Sequence, residues 1–275
     1  MAVAFDAATE HVRIDTTSPQ TFSHTGAASG VKGVAVCIVH GTSSTDHVSA
    51  CSYGGVALTR IQRNVDTANE PGASEIWFLG TGVLQGAQTV SYTPGATTDD
   101  IHATAITLTG AIDLEVVDQD GISENAPNPS VTLQYGGKTC ISVAALYGGG
   151  AAPTSFTENA NCTRVHDHDL GAFYSVVTRQ TTPGTADFAI GGTASADDVA
   201  YSAIAVSEAN RRAQVSWAEF EVPDLPPRRA QISWAELEVP DLPARRAQVS
   251  WAEFEVPDLS TGETSGSLSC LGVGR

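Results

Sequence analysis

The sequence predicts an all-β protein: an antiparallel β-sandwich of jelly-roll type over residues 1–208, followed by a C-terminal region of three 17-residue β repeats. Three observations carry this. From Val12 to Val206, short runs rich in β-branched and aromatic residues alternate with clusters of Gly, Ser, Thr, Asn, Asp and Pro. No window of about a dozen residues in that stretch holds a helical apolar stripe. Beyond it, RRAQVSWAEFEVPDLPP starts at Arg211, returns as RRAQISWAELEVPDLPA at Arg228, and returns again, shortened, at Arg245.

The strands follow in order. GVAVCIVH (33–40), HVSACSY (47–53), SEIWFL (74–79), QTVSYT (88–93), HATAITLT (102–109) and CISVAALY (140–147) have the composition of strands that bury one or both faces. HGTSSTD, TPGATTDD, ENAPNPS and YGGGAAPTS punctuate them as turns. About ten strands at this spacing, with few Lys and Glu, fit a sandwich or jelly roll. Three regions result: a sandwich domain (1–208), the repeats (209–260, with units 211–227, 228–244 and 245–260) and a Gly/Ser-rich tail (261–275).

Charge excludes one class of partner. With 31 acidic residues against 14 basic ones, the net charge of −17 repels a phosphate backbone, so nucleic acid is not expected. No stretch approaches the roughly 18 apolar residues of a membrane span, and MAVAFDAATEH has neither the basic start nor the apolar run of a signal peptide. The expectation is a protein made in the cytoplasm that meets no membrane.

YGGVALTRI (53–61), EIWFL (75–79), TVSYTPG (89–95), VVDQDG (116–121) and VAYSAIAVSE (199–208), in that order, resemble a β-sandwich domain of bacteriophage virion proteins that also occurs in secreted bacterial surface proteins. The resemblance spans about 195 residues and implies a display or adhesion module without a catalytic centre. The cysteines and the C-terminal repeats depart from its pattern.

Cys37 and Cys51 flank the turn GTSSTD, and Cys140 and Cys162 flank a Gly-rich connection. A simple hairpin would bring each pair within the roughly 7 Å that a disulfide needs. The alternative is that all four are small buried hydrophobes. Cys270, in the tail, is left over. A virion protein assembled in the cytoplasm and released by lysis reconciles disulfides with the missing export signal.

In the repeats, strand alternation puts Ala213, Val215 and Trp217 on one face and Ala218, Phe220 and Val222 on the other. A proline closes each unit, at Pro223, Pro240 and Pro257. Isolated strands of this kind bury little, so Trp217, Phe220, Trp234, Leu237, Trp251 and Phe254 are the expected assembly interface. The competing reading has the repeats extend the sandwich's own sheet.

Other motifs point to chemistry weakly. In HDHD (166–169), alternation would set His166 and His168 side by side as metal candidates, but two ligands do not close a site, and a solvated turn is the plainer reading. DQDG (118–121) has the start of a calcium loop without its later ligands, which favours a turn held by Asp side chains. NCT at Asn161 is a glycosylation sequon only for a secreted chain. A nucleophile elbow, a phosphate loop and a nucleotide fingerprint are all missing, so no cofactor and no enzyme activity are expected. The expected function is structural: a capsid decoration or head fibre on the virion surface, self-associating, with a trimer as first guess. Its partners would be other virion proteins such as the major capsid protein, and a host-surface glycan. A secreted adhesin or carbohydrate-binding module is the alternative; a tail fibre or a glycan-cleaving enzyme ranks behind it.

Overall fold

The computed structural model describes residues 2–16, 19–41, 48–67, 71–95, 99–123, 128–149, 155–169, 173–194 and 198–209. All lie in the first of two units of the chain, Met1–Gln214. The repeats, their six interface residues and Cys270 lie outside the described residues. Within these, the chain forms β-strands and no helix: β1 (Ala4–Thr16), β2 (Gln20–Thr25), β3 (Val31–His40), β4 (Val48–Tyr53), β5 (Val56–Ala57), β6 (Thr59–Asp66), β7 (Gly72–Leu79), β8 (Ala87–Pro94), β9 (Asp99–Thr109), β10 (Leu114–Ser123), β11 (Ser130–Leu133), β12 (Cys140–Gly149), β13 (Phe156–Glu158), β14 (Cys162–Asp169), β15 (Tyr174–Gln180), β16 (Phe188–Ala194) and β17 (Asp198–Glu208).

Every pairing is antiparallel, in four sheets ordered β1-β9-β3-β7-β6, β2-β8-β4-β5, β10-β17-β12-β15-β14 and β11-β16-β13. The third order repeats the first, and the fourth repeats the second apart from β5. Replacing β1, β9, β3, β7 and β6 by β10, β17, β12, β15 and β14 reproduces the five-stranded sheet; replacing β2, β8 and β4 by β11, β16 and β13 reproduces its partner. Irregularities coincide too. The β6–β7 ladder shifts between Arg60 and Gln62, and the β14–β15 ladder shifts between Arg164 and His166. The ladders of β1 and β10 shift at Phe5/Ala7 and Val116/Asp118. A bulge displaces one residue and re-aims its neighbours, so matched bulges mark matched local geometry. Among the described residues the strand order is therefore laid down twice, as two sandwich-like halves.

Three cores separate the four layers, each fed by strand alternation. Phe22, Val36, Ile38, Tyr53, Val90, Tyr92 and Ala103 fill the first half between its two sheets. Leu133, Leu146, Phe156, Val176, Ile190 and Tyr201 do the same in the second. Between the halves, the back of one five-stranded sheet packs on the back of the other through Cys37, Ile76, Phe78, Ile106, Val143, Tyr147, Val177 and Ile204. Burial on both faces explains why β3 and β12 read as nearly continuous apolar runs. Close approach of the two sheets is what Gly72 permits, since a Cβ there would lie 2.2 Å from the Tyr147 ring.

Two local readings need correction. DQDG is strand rather than turn: Asp118, Gln119 and Asp120 pair with Ala205, Ile204 and Ala203 of β17. HDHD is strand as well, with His166 opposite Val177 and His168 opposite Ser175.

Candidate functional site

The contact between the halves has two flanks, and matching their registers gives the residue equivalences. Val39 of β3 sits between His102 and Ser74; Tyr147 of β12 sits between Ala200 and Ser175. Ser74 thus corresponds to Ser175, Thr104 to Ser202, and His102 to Ala200. On one flank Ser74 Oγ donates to Ser202 Oγ at 2.9 Å, Ser202 Oγ reaches the Ser74 carbonyl at 2.9 Å, and Asn64 Nδ2 donates to Ser202 Oγ at 3.0 Å. This cluster is neutral and joins β6, β7 and β17.

The other flank repeats the hydroxyl pair, Ser175 and Thr104, with His102 wedged between them. His102 is fully buried; its Nδ1 hydrogen-bonds Ser175 Oγ, and its Nε2 lies 3.4 Å from Thr104 Oγ1 and 3.5 Å from Glu10 Oε2. Glu10 Oε2 is also 3.5 Å from His166 Nδ1, and the His168 ring lies 6.0 Å from the His102 ring, centroid to centroid. His166 Nε2 is buried without a hydrogen-bond partner among the described residues. The alternation expected of HDHD therefore holds: both imidazoles turn inward from β14, while Asp167 and Asp169 are exposed. Burial, reinforced by the positive potential of His168 and His166 and opposed by Asp167, pushes the His102 imidazole down to about 3. Asp167 is itself engaged. Burial acts to raise it, yet hydrogen bonds from Tyr174 (2.7 Å) and Arg164 (2.6 Å) hold its carboxyl below the ordinary value. As the side chains stand, no three His, Cys, Asp or Glu groups among the described residues are placed to hold a metal ion.

A second polar centre lies in the first half's own core. Glu75 is fully buried on β7, where its carboxylate accepts from Trp77 Nε1 at 3.0 Å and Arg63 Nε at 3.2 Å, with His40 Nε2 at 3.3 Å and Arg60 Nη1 at 3.6 Å. Arg60 lies over the Trp77 ring, 5.5 Å from its centroid. Its equivalent on β14, Arg164, is likewise clamped by carboxylates, those of Glu158 and Asp167. These ionisable groups brace bulged edge strands against neighbouring strands.

The disulfide expectation is corrected. Cys37, Cys51, Cys140 and Cys162 are free thiols. Cys37 faces the core between the halves, whereas Cys51 faces the core inside the first half, so sheet β1-β9-β3-β7-β6 separates them. Cys140 on β12 and Cys162 on β14 have β15 between them, two strand spacings or about 10 Å, beyond disulfide reach. Burial pushes the Cys51 thiol up to about 12 and the Cys140 thiol up to about 11, and it raises Cys37 and Cys162 as well.

An open groove of about 420 Å³ runs beside β10, lined by Glu115, Val116, Val117, Gln134, Tyr135, Gly136 and Lys138, and the Lys138–Glu115 ion pair (2.5 Å) lies along it. Missing from the sequence reading were Glu10, His102 and Glu75. His102 and Glu75 were signalled in the sequence only as polar residues within strongly apolar strands, and Glu10 was not signalled at all. Comparison with protein-family models, with curated proteins and with solved structures finds no match to this chain.

Proposed function

We propose that the protein is a non-enzymatic structural component of a bacteriophage particle surface, a capsid decoration or head fibre, whose repeats mediate self-association or docking. The observation that carries this reading is the duplicated sandwich. Glu75, Arg60, Arg63 and Arg164 brace its strands, and its two outer sheets turn hydroxyl-bearing faces in opposite directions. On one, Thr21, Ser91 and Ser52 lie side by side in register, with Ser23 beside Thr89; on the other, Thr157 pairs with Thr193. We read each half as a jelly roll, because its strand order interleaves the first and last strands in one sheet and the second and penultimate in the other. Such a body is a spacer with two display faces. The acidic surface, net −17, suits a role away from packaged nucleic acid.

The repeats supply the assembly element in this reading, with Trp217, Trp234 and Trp251 as anchors. Replacing all three with Ser should abolish self-association and co-sedimentation with particles while leaving the far-UV CD signature of the sandwiches. A variant that still assembles like the parent would return the repeats to the role of an extra sheet. A second reading, a carbohydrate-binding adhesin, is favoured by the in-register hydroxyls of Thr21, Ser91 and Ser52. It requires Ser91→Lys to lose glycan binding while the far-UV CD signature is unchanged.

A further inference from the structure

The two flanks of the contact between the halves are built on one plan and differ in chemistry. Where the second half carries Ala200, the first carries His102, so the fold does not require a histidine there. With it stand two further imidazoles and the Glu10 carboxylate, drawn from both halves: His102 on β9 and Glu10 on β1 from the first, His166 and His168 on β14 from the second. The matching contact of Ser74, Ser202 and Asn64 is made by neutral side chains. We propose that the histidine flank is an acid-operated latch: as the pH falls toward about 5, proton uptake by His102 parts β14 and β15 from β1 and β9, while the serine flank stays closed and serves as the hinge.

The groups that face His102 decide the sign. From β1 comes Glu10; from β9 itself come Thr104 and, by alternation, Asp100; from β3 comes the apolar Val39; from β15 comes Ser175; from β14 come His166 and His168, with the charge of Asp167 acting from the exposed side of that strand. Glu10 is the one carboxylate shared between His102 and His166, both at 3.5 Å. Asp167 is held by Arg164 and Tyr174. A positive charge on His102 would be cut off from water, since the ring is fully buried. Opening the flank hydrates His102 and restores an ordinary imidazole, which takes up a proton near 6.5, while the closed flank resists until about 3. The folded value is the depressed one. Hence the closed state is favoured above 6.5 and loses ground as the pH falls through the interval between the two values. Between pH 7 and 5, His102 alone shifts the closed–open balance about 25-fold toward open, one proton being worth up to tenfold per pH unit.

Hydrogen–deuterium exchange on the full chain at pH 7, 6 and 5, corrected for intrinsic exchange, tests this directly. Amides of β14 and β15 should lose protection by about 25-fold or more, while those of β6 and β7 change several-fold less. His102→Gln keeps a hydrogen-bonding side chain without titration and should flatten the pH response of β14 and β15. If that variant fails to fold, Glu10→Gln decides, since its half-exposed side chain is removable. Losing the shared carboxylate should deepen the loss of protection at pH 5. Protection that is independent of pH, a loss equal on both flanks, or an unaltered profile in whichever variant folds overturns the latch.

Discussion

Replacing Glu75 with Leu should destabilise the protein by about 3 kcal/mol, and the geometry says where that comes from. The substitution leaves the Trp77 indole N–H, 3.0 Å from the carboxylate and buried against the first core, without its acceptor. A stranded buried donor costs about 1–3 kcal/mol, and loss of a hydrogen bond to a charged group adds about 1.5–3 kcal/mol. Arg63 and Arg60 limit the total: their side chains are 22% and 32% exposed and can turn to water, so neither becomes a trapped charge. Urea unfolding followed by far-UV CD gives the number, with a second probe to establish a single transition. Trp77→Phe supplies the control, because it removes the donor that needs an acceptor. In that background Glu75→Leu should cost about 1–2 kcal/mol less, the signature of direct coupling. A cost below about 1 kcal/mol for the single change, or additive effects in the double mutant, would refute the view that this carboxylate organises the first core.

Three further outcomes follow from the same geometry. Global stability should fall with acid because native His102 resists protonation: between its unfolded value near 6.5 and pH 5, the loss from this one residue is about 2 kcal/mol, and His102→Gln should remove that part of the slope in melts recorded from pH 7 to 5. In native protein at pH 7.5, Cys37 and Cys51 should resist alkylation over hours and react at once on denaturation, because both are buried and burial disfavours the thiolate; mass mapping of unreduced peptides that found Cys37 joined to Cys51 would contradict the layer order. Gly72→Val should cost at least about 2–3 kcal/mol by driving a side chain into the Tyr147 ring, and Gly72→Val with Tyr147→Ala should recover part of it; equal denaturation midpoints for parent and single variant would show that the two sheets can separate without penalty.

Strand composition made much of the fold readable. The predicted runs 33–40, 74–79, 102–109 and 140–147 all lie in strands, because residues buried on both faces leave an apolar run that few other structures tolerate. The edges were harder. AFDAATEH at the start of β1 and the Asp-rich end of β10 face water on part of their surface, so their polar composition hides strands that pair along one side only. Pairing the cysteines failed for a topological reason: the segments between Cys37 and Cys51, and between Cys140 and Cys162, pass from one sheet to another instead of returning beside their own strand. Symmetry about a turn in sequence is then no guide to proximity. The duplication did leave a trace, in DDIHATAITLT (99–109) against DDVAYSAIAVS (197–207) and in LTRI (58–61) against CTRV (162–165). Alternation keeps the buried positions similar in such pairs and frees the exposed ones, so the trace is faint along the chain and plain in the strand order. The histidine flank was half legible, since HDHD announced two of its members, and it was completed by residues more than 60 positions away in sequence.

Joining the two sandwiches in one polypeptide changes what selection can do with the surface between them. In a homodimer of a single sandwich, every substitution at the contact appears twice, once on each side of the axis, so a histidine introduced at the position of His102 would be matched by a second opposite it, and both edges would respond together. A tethered pair is released from that constraint. One edge can keep its plain hydroxyls and hold the body together while the other accumulates groups that a symmetric assembly would have to carry in duplicate. Asymmetry of this sort allows a rotation about the retained edge instead of dissociation, and a chain that opens while staying whole re-closes at a rate independent of its concentration.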